Sequence, residues 1–198
     1  MQPIWYGDRR DRIKWGGLIH LAEQSRVVNI VQVAYHREGT HPVLNCDDGN
    51  FPISEAVWKH FSDLSNILSL GKVTGINIQV VTRPFRSNYR RKYIASVVDD
   101  LRVIGSPKIV FLDPDIGIAP KAPKAGHVTG EDLREVWNAL KTDDILVVYQ
   151  HAAHSQNWLD EPTTKLRQAC NNATVRKIIS SEVAKDVALL WCKKQGTF

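Results

Sequence analysis

The chain has 198 residues, of which 43% are hydrophobic and 24% charged, with a formal net charge of +5. That balance excludes wholesale disorder, collagen-like repeats and coiled coil, and the length suffices to bury a core without disulfide staples. No apolar run approaches the roughly 20 residues needed to span a bilayer, and the N-terminus lacks the basic and apolar regions of a signal peptide. The expectation is a single domain over 1–198, cytoplasmic, with no membrane contact and no stated oligomeric state. Cys46, Cys170 and Cys192 are odd in number and widely spaced. They form no CxxC pair, so they read as thiols in a reducing compartment.

Taken in chain order, 8–24 reads as a helix, with Ile13, Gly17, Leu21 and Ala22 near one face. Val27–Tyr35 reads as a strand. Ser54 is placed to cap a helix whose apolar stripe is Val57, Phe61, Leu64 and Leu68. Ile76–Val81 is a second strand, and Ser87 or Asn88 opens a helix carrying Ile94, Val97, Val98, Leu101 and Ile104. Lys108–Leu112 is a third strand, too apolar to have a wet face. Pro120–Gly126 is a loop, and Thr129 with Asp132 is spaced as a capping box for a helix with Leu133, Val136, Trp137 and Leu140. Ile145–Tyr149 is a fourth buried strand, a short helix covers 163–170, and 175–180 and 187–192 form a closing antiparallel pair. Strands alternating with helices imply right-handed βαβ crossovers. The predicted fold is therefore α/β: a Rossmann-like three-layer sandwich with a mostly parallel sheet of about six strands and a C-terminal antiparallel pair.

Such sheets bind ligands beyond the carboxyl ends of their strands. Four polar clusters sit there: Tyr35-His36-Arg37-Glu38-Gly39, Thr82-Arg83-Pro84, Asp113-Pro114-Asp115-Ile116-Gly117, and Gln150-His151 with His154. Two carboxylates at i and i+2 after an apolar strand put charge at the sheet's mouth, with Pro114 stiffening the turn and Gly117 allowing a positive φ. The plain alternative is a turn with a capping aspartate. The run from Asp8 to Lys14 holds six charged residues in seven positions. Asp8 can cap the first helix, and Asp11 with Lys14, three apart, can equally form a surface ion pair. His151 and His154 have the spacing of metal ligands or acid–base groups, although either alone is more often a surface histidine. Arg83, Arg86, Arg90, Arg91 and Lys92 are interleaved with Phe85, Tyr89 and Tyr93. Cations at a helix start oppose its dipole, and a bound phosphate relieves that repulsion. No dinucleotide fingerprint, P-loop, nucleophile elbow or HExxH motif is present.

With those residues in view, the pattern resembles class I S-adenosylmethionine-dependent methyltransferases, nearest the group that methylates adenine N6 in large-subunit ribosomal RNA. Gly7-Asp8-Arg9-Arg10-Asp11-Arg12-Ile13-Lys14-Trp15 is similar to that group's N-terminal cofactor segment, and Asp113-Pro114-Asp115-Ile116 stands where the group has Asp-Pro-Pro-Tyr. The glycine-rich loop after the first strand is missing, Asp115 replaces a proline, and Ile116 replaces an aromatic. The resemblance implies S-adenosylmethionine held by Gly7, Asp8, Asp11, Lys14 and Tyr35. It further implies chemistry at Asp113, Asp115 and His151, with Arg83, Arg86 and Arg90 on the phosphates of a nucleic acid or nucleotide-like substrate. Two other readings stand beside it. One is a phosphodiesterase or nuclease holding Mg²⁺ or Mn²⁺ on Asp113, Asp115, His151 and His154. The other is a non-catalytic nucleic-acid-binding module.

Overall fold

The computed structural model describes residues 9–37, 43–46, 49–52, 66–152, 156–180 and 182–196. Helix α1 (Arg9–Ser25) leads into β1 (Asn29–Val33). A two-stranded antiparallel hairpin, β2 (Val43–Cys46) and β3 (Gly49–Pro52), follows. Next come α2 (Asn66–Thr74), β4 (Asn77–Val81), α3 (Arg90–Val103) and β5 (Lys108–Leu112). The two-residue strands β6 (Gly117–Ile118) and β7 (His127–Val128) pair in parallel. The chain continues through α4 (Gly130–Ala139), β8 (Ile145–His151), α5 (Asp160–Ala169), β9 (Arg176–Ile179) and β10 (Val187–Lys193).

Six strands form the main sheet in the order β4-β1-β5-β8-β10-β9. The first four run parallel, with Asn29 opposite both Asn77 and Lys108, and Ile109 opposite Ile145. β10 runs antiparallel between β8 and β9. The expected α/β architecture is present, closing antiparallel pair included. β5 is buried at every position, as a central strand covered on both faces must be. One face carries Ile30, Ile109, Phe111, Val147 and Leu189 against Leu18 and Leu21 of α1 and Ile67 of α2. The other carries Val31, Val110, Leu146 and Leu190 against Val97 of α3, Val136 of α4 and Leu166 of α5.

Boundaries shift where backbone chemistry outweighs side-chain pattern. Val27 and Val28 are not in β1: Arg26 takes a left-handed φ of 54° and the Val27 N–H donates to Ala22 O, capping α1. Tyr35, also left-handed at φ 46°, lies two residues past the strand's end. The helix expected from Ser87 or Asn88 begins with a 3-10 turn over Ser87–Tyr89, and α3 proper starts at Arg90. α5 begins at Asp160, three residues before the expected start. Ser54, Val57, Phe61 and Leu64 of the expected Ser54-capped helix lie outside the described residues, and Leu68 lies in α2. The capping box at α4 is complete: Asp132 N–H donates to Thr129 Oγ1 at 3.2 Å, and Thr129 N–H to Asp132 Oδ2 at 2.9 Å. β6 and β7 are too short for any periodicity to announce them. Their place is fixed by Gln150, whose Oε1 accepts from Ile118 N–H at 2.9 Å. Gly117 has φ 122°, and a Cβ there would lie 2.6 Å from Gln150 Cδ, so this position requires glycine.

Candidate active site at the carboxyl edge of the sheet

Asp113 leaves β5 on the same sheet face as Phe111, the face covered by α1. Asp11 and Lys14 lie one turn apart on α1 and reach that edge together. Lys14 Nζ is 3.1 Å from Asp11 Oδ1, 3.1 Å from Asp113 Oδ1 and 3.4 Å from Asp113 Oδ2. It also stands 4.6 Å from the centre of the Tyr149 ring. Gln32, two residues along from Ile30 on the same face of β1, donates from Nε2 to Asp113 Oδ2 at 2.8 Å. All four polar side chains are buried, Asp113 at 1% exposure. Burial alone would lower the Lys14 pKa, but attraction to Asp113 and then Asp11 outweighs it, and the ammonium is held well above its ordinary range. The ammonium of Lys14 thus lies between the two buried carboxylates.

A second polar group lies at the same edge. Because β10 is antiparallel, its N-terminal end meets the carboxyl end of β8, with Val187 opposite His151. This brings Asp186 to within 4.0 Å of His151 Nδ1. Arg10 of α1 donates to Asp186 Oδ2 through Nη2 at 2.5 Å and Nε at 3.1 Å. The hydrogen bond from Arg10 holds the Asp186 carboxyl below its usual range. Tyr149 OH stands 3.5 Å from His151 Nδ1 and, pushed up by burial, stays protonated through neutral pH. Tyr149 thus joins the two groups, its ring against Lys14 and its hydroxyl beside His151. His151 also faces a cavity of about 200 Å³, with Ile116, His127, Gln150, Trp158 and Lys165 among its walls. The His127 pKa is lowered, chiefly by burial, which keeps the imidazole neutral, and its Nδ1 accepts from Lys124 N–H at 2.9 Å.

The structure therefore gathers Asp11, Lys14, Asp113 and His151 at one edge. Asp115 is close in sequence but turned elsewhere, paired with Arg37. Tyr35 belongs to the opposite face, where its ring lies 5.0 Å from Phe85 and 5.6 Å from Tyr93. Arg83 pairs with Asp100. Arg90 pairs with Asp132, donates to His127 O at 3.1 Å and lies 4.8 Å over the Phe85 ring. Arg86, Tyr89, Arg91 and Lys92 are exposed around the start of α3. Gly7, Asp8 and His154 lie outside the described residues. Among the described residues no group of three or more His, Cys, Asp or Glu side chains is placed to share a metal ion. Arg10, Gln32, Tyr149 and Asp186 are additions to the sequence-based set. Asp186 had a signal in the antiparallel closing pair, which returns the start of the last strand to the ligand-binding edge.

No protein-family model matches this chain, and no curated protein does. Among solved structures, it is similar to the protein-(glutamine-N5) methyltransferase (release factor-specific) from Alicyclobacillus acidocaldarius subsp. acidocaldarius DSM 446. The two share 11% identity over 92% of this chain and 94% of that one, with a TM-score of 0.43. At that score the likeness carries no argument about activity. No helix among the described residues is long and apolar enough to cross a membrane.

Proposed function

We propose that this chain is a methyltransferase-like protein that uses S-adenosylmethionine and acts on a nucleic acid or nucleotide-like substrate. The observation that carries the proposal is the Lys14 bridge. The two segments that resemble the methyltransferase motifs are separated by 99 residues between Lys14 and Asp113, yet they meet in one buried ion cluster at the ligand-binding edge. A surface ion pair between Asp11 and Lys14 needs no such third partner.

The residues present fit the cofactor's polarity. Gln32 Oε1 is buried without a hydrogen-bond partner among the described residues, beside the buried carboxylates of Asp11 and Asp113. That combination favours a ligand bearing amine and ammonium donors. Gly7, Asp8, Asp11, Lys14 and Gln32 are the proposed cofactor-holding set. When bound, S-adenosylmethionine supplies a methyl group on a sulfonium. The chain's own task is alignment, which matters more here than proton abstraction. Asp113 is buried on Lys14 and Gln32, so its proposed role is to fix the strand-end turn. His151, which faces the cavity, is the proposed contact to the acceptor, with Asp186 and Tyr149 holding the imidazole in place. Arg86, Arg91 and Lys92 are the proposed phosphate contacts, with Tyr89, 53% exposed, as a stacking surface. Arg83 and Arg90 have carboxylate partners within the protein, whereas the pair of Arg91 with Glu131 is longer, 3.6 Å, and exposed on both sides.

The metal reading finds less support, because Asp113 and Asp115 face different protein cations. Titration with S-adenosylmethionine and with its demethylated product tests the proposal. Both should give a heat of binding and a rise in melting temperature. Silence from both ligands in both assays removes the reading.

A further inference from the structure

A separate cleft of about 530 Å³ opens at the opposite, amino-terminal edge of the parallel strands. This lies within the roughly 300–1,000 Å³ typical of small-ligand sites. It is framed by the end of α5, the start of β9 and the end of β10, with Trp137 of α4 and Trp191 of β10 in its walls. Among the described residues, three cations line it, Arg176, Lys193 and Lys194, and no carboxylate does.

Each cation is held, but not neutralised from within the cleft. The Arg176 guanidinium lies 5.3 Å from the centre of the Trp191 ring. Lys194 Nζ lies 5.1 Å from the centre of the Trp137 ring and donates to Trp137 O at 2.7 Å. Lys193 reaches out to Asp143 at 2.7 Å, with both side chains largely exposed. The nearby buried carboxylate, Asp144, is taken by Lys108 at 3.1 Å, where both side chains are fully buried. Burial lowers the Lys194 pKa, against the opposing attraction of Cys170 and Asp144. Asn171 and Asn172 add exposed amide donors to the rim from a left-handed turn, with φ 54° and 61°. Two of the carbonyls at the end of α5 are already taken within the turn that follows it. Leu166 O and Arg167 O accept from Cys170 N–H, and Arg167 O also accepts from Asn172 N–H.

We infer that this cleft is a second binding site, one for a small phosphate-bearing anion, held by Arg176, Lys193 and Lys194 with amide donors from Asn171 and Asn172. Concavity separates it from the exposed basic face at the start of α3, where a long nucleic-acid backbone has room to lie. The site is independent of the function proposed above, because it lies at the other end of the strands from Asp113.

The test is calorimetric titration of the full chain with inorganic pyrophosphate, followed in parallel by tryptophan emission. Saturable binding near one equivalent, weakening with added salt, is expected. Arg176→Gln, Lys193→Gln and Lys194→Gln should each raise the dissociation constant, by ~10-fold where a charge-assisted contact is lost. Arg86→Gln with Arg91→Gln should leave it unchanged. Arg176 and Lys193 are exposed, so their variants keep the test decisive even if Lys194→Gln folds poorly. Absence of saturable binding below about 5 mM pyrophosphate, weaker than the millimolar end of the affinity scale, overturns the inference. So does binding that survives all three cleft variants or is lost on removing Arg86 and Arg91.

Discussion

Replacing Lys14 by methionine keeps an unbranched side chain, one atom shorter, and removes its charge. Asp11 and Asp113 then each lose their shared ammonium partner while staying buried, Asp113 at 1% exposure. At an effective dielectric constant near 20, each 3.1 Å contact is worth about 5 kcal/mol before desolvation is charged against it. Desolvation consumes much of that. The net cost of stripping one partner from a buried ion cluster is about 3–5 kcal/mol, because the orphaned charge remains. Urea denaturation followed by circular dichroism should show a loss of that size. Asp113→Asn in the same background should cost less than the two single losses combined, since the second change removes one of the stranded carboxylates. The pH dependence carries a sign. The folded pKa of Lys14 lies above its ordinary 10.5, so its stabilisation is complete below that pH and is lost as pH climbs toward the raised folded value. The natural protein should therefore show an alkaline fall in stability that Lys14→Met lacks. A loss below about 1 kcal/mol, or strict additivity with Asp113→Asn, would refute the picture of one shared cluster.

Three further outcomes follow from local geometry. Gly16→Ala, where a new Cβ meets nothing within 4 Å, should stabilise by about 0.5–1 kcal/mol, whereas Gly71→Ala, where it would lie 2.6 Å from Ile76 O, should destabilise by about 1–3 kcal/mol; paired thermal melts check the opposite signs. Thr129→Ala removes the cap of α4 and should cost about 1 kcal/mol in urea, with Thr129→Ser recovering most of it. Arg10→Gln removes the partner that lowers the Asp186 pKa; the stabilisation it provides exists above the ordinary 3.8 and is lost as pH falls through the lower folded value, so an acid titration of stability should be flatter in the variant.

The elements that could be read from the chain are those whose side chains alone decide the outcome. Lys108–Leu112 and Ile145–Tyr149 are unbroken apolar runs, and both are buried strands. The Thr129–Asp132 spacing is a local chemical pair, and both of its hydrogen bonds form. Asp11, Lys14 and Asp113 were legible as candidates because charge was concentrated in one helical turn and at one strand end. What escaped was whatever depends on two distant segments meeting. Gln32 resembles any polar residue in a strand until Asp113 is placed beside it. Arg90 resembles a free phosphate ligand until Asp132 arrives from a helix 42 residues later. Tyr35 follows a strand, where the ligand-binding edge is expected, but its left-handed backbone and its packing on Phe85 and Tyr93 set it on the other face.

The placement of β10 has a consequence for synthesis of the protein. A ribosome that has released the chain as far as β9 holds a sheet that ends at β8, because within the sheet β9 pairs with β10, a strand not yet made. Leu146 and Val148, fully covered in the finished protein, then border an open edge for as long as elongation takes. Such an edge invites pairing with other chains. Stalling or premature termination between the two strands should therefore yield a sticky nascent product rather than a smaller stable one.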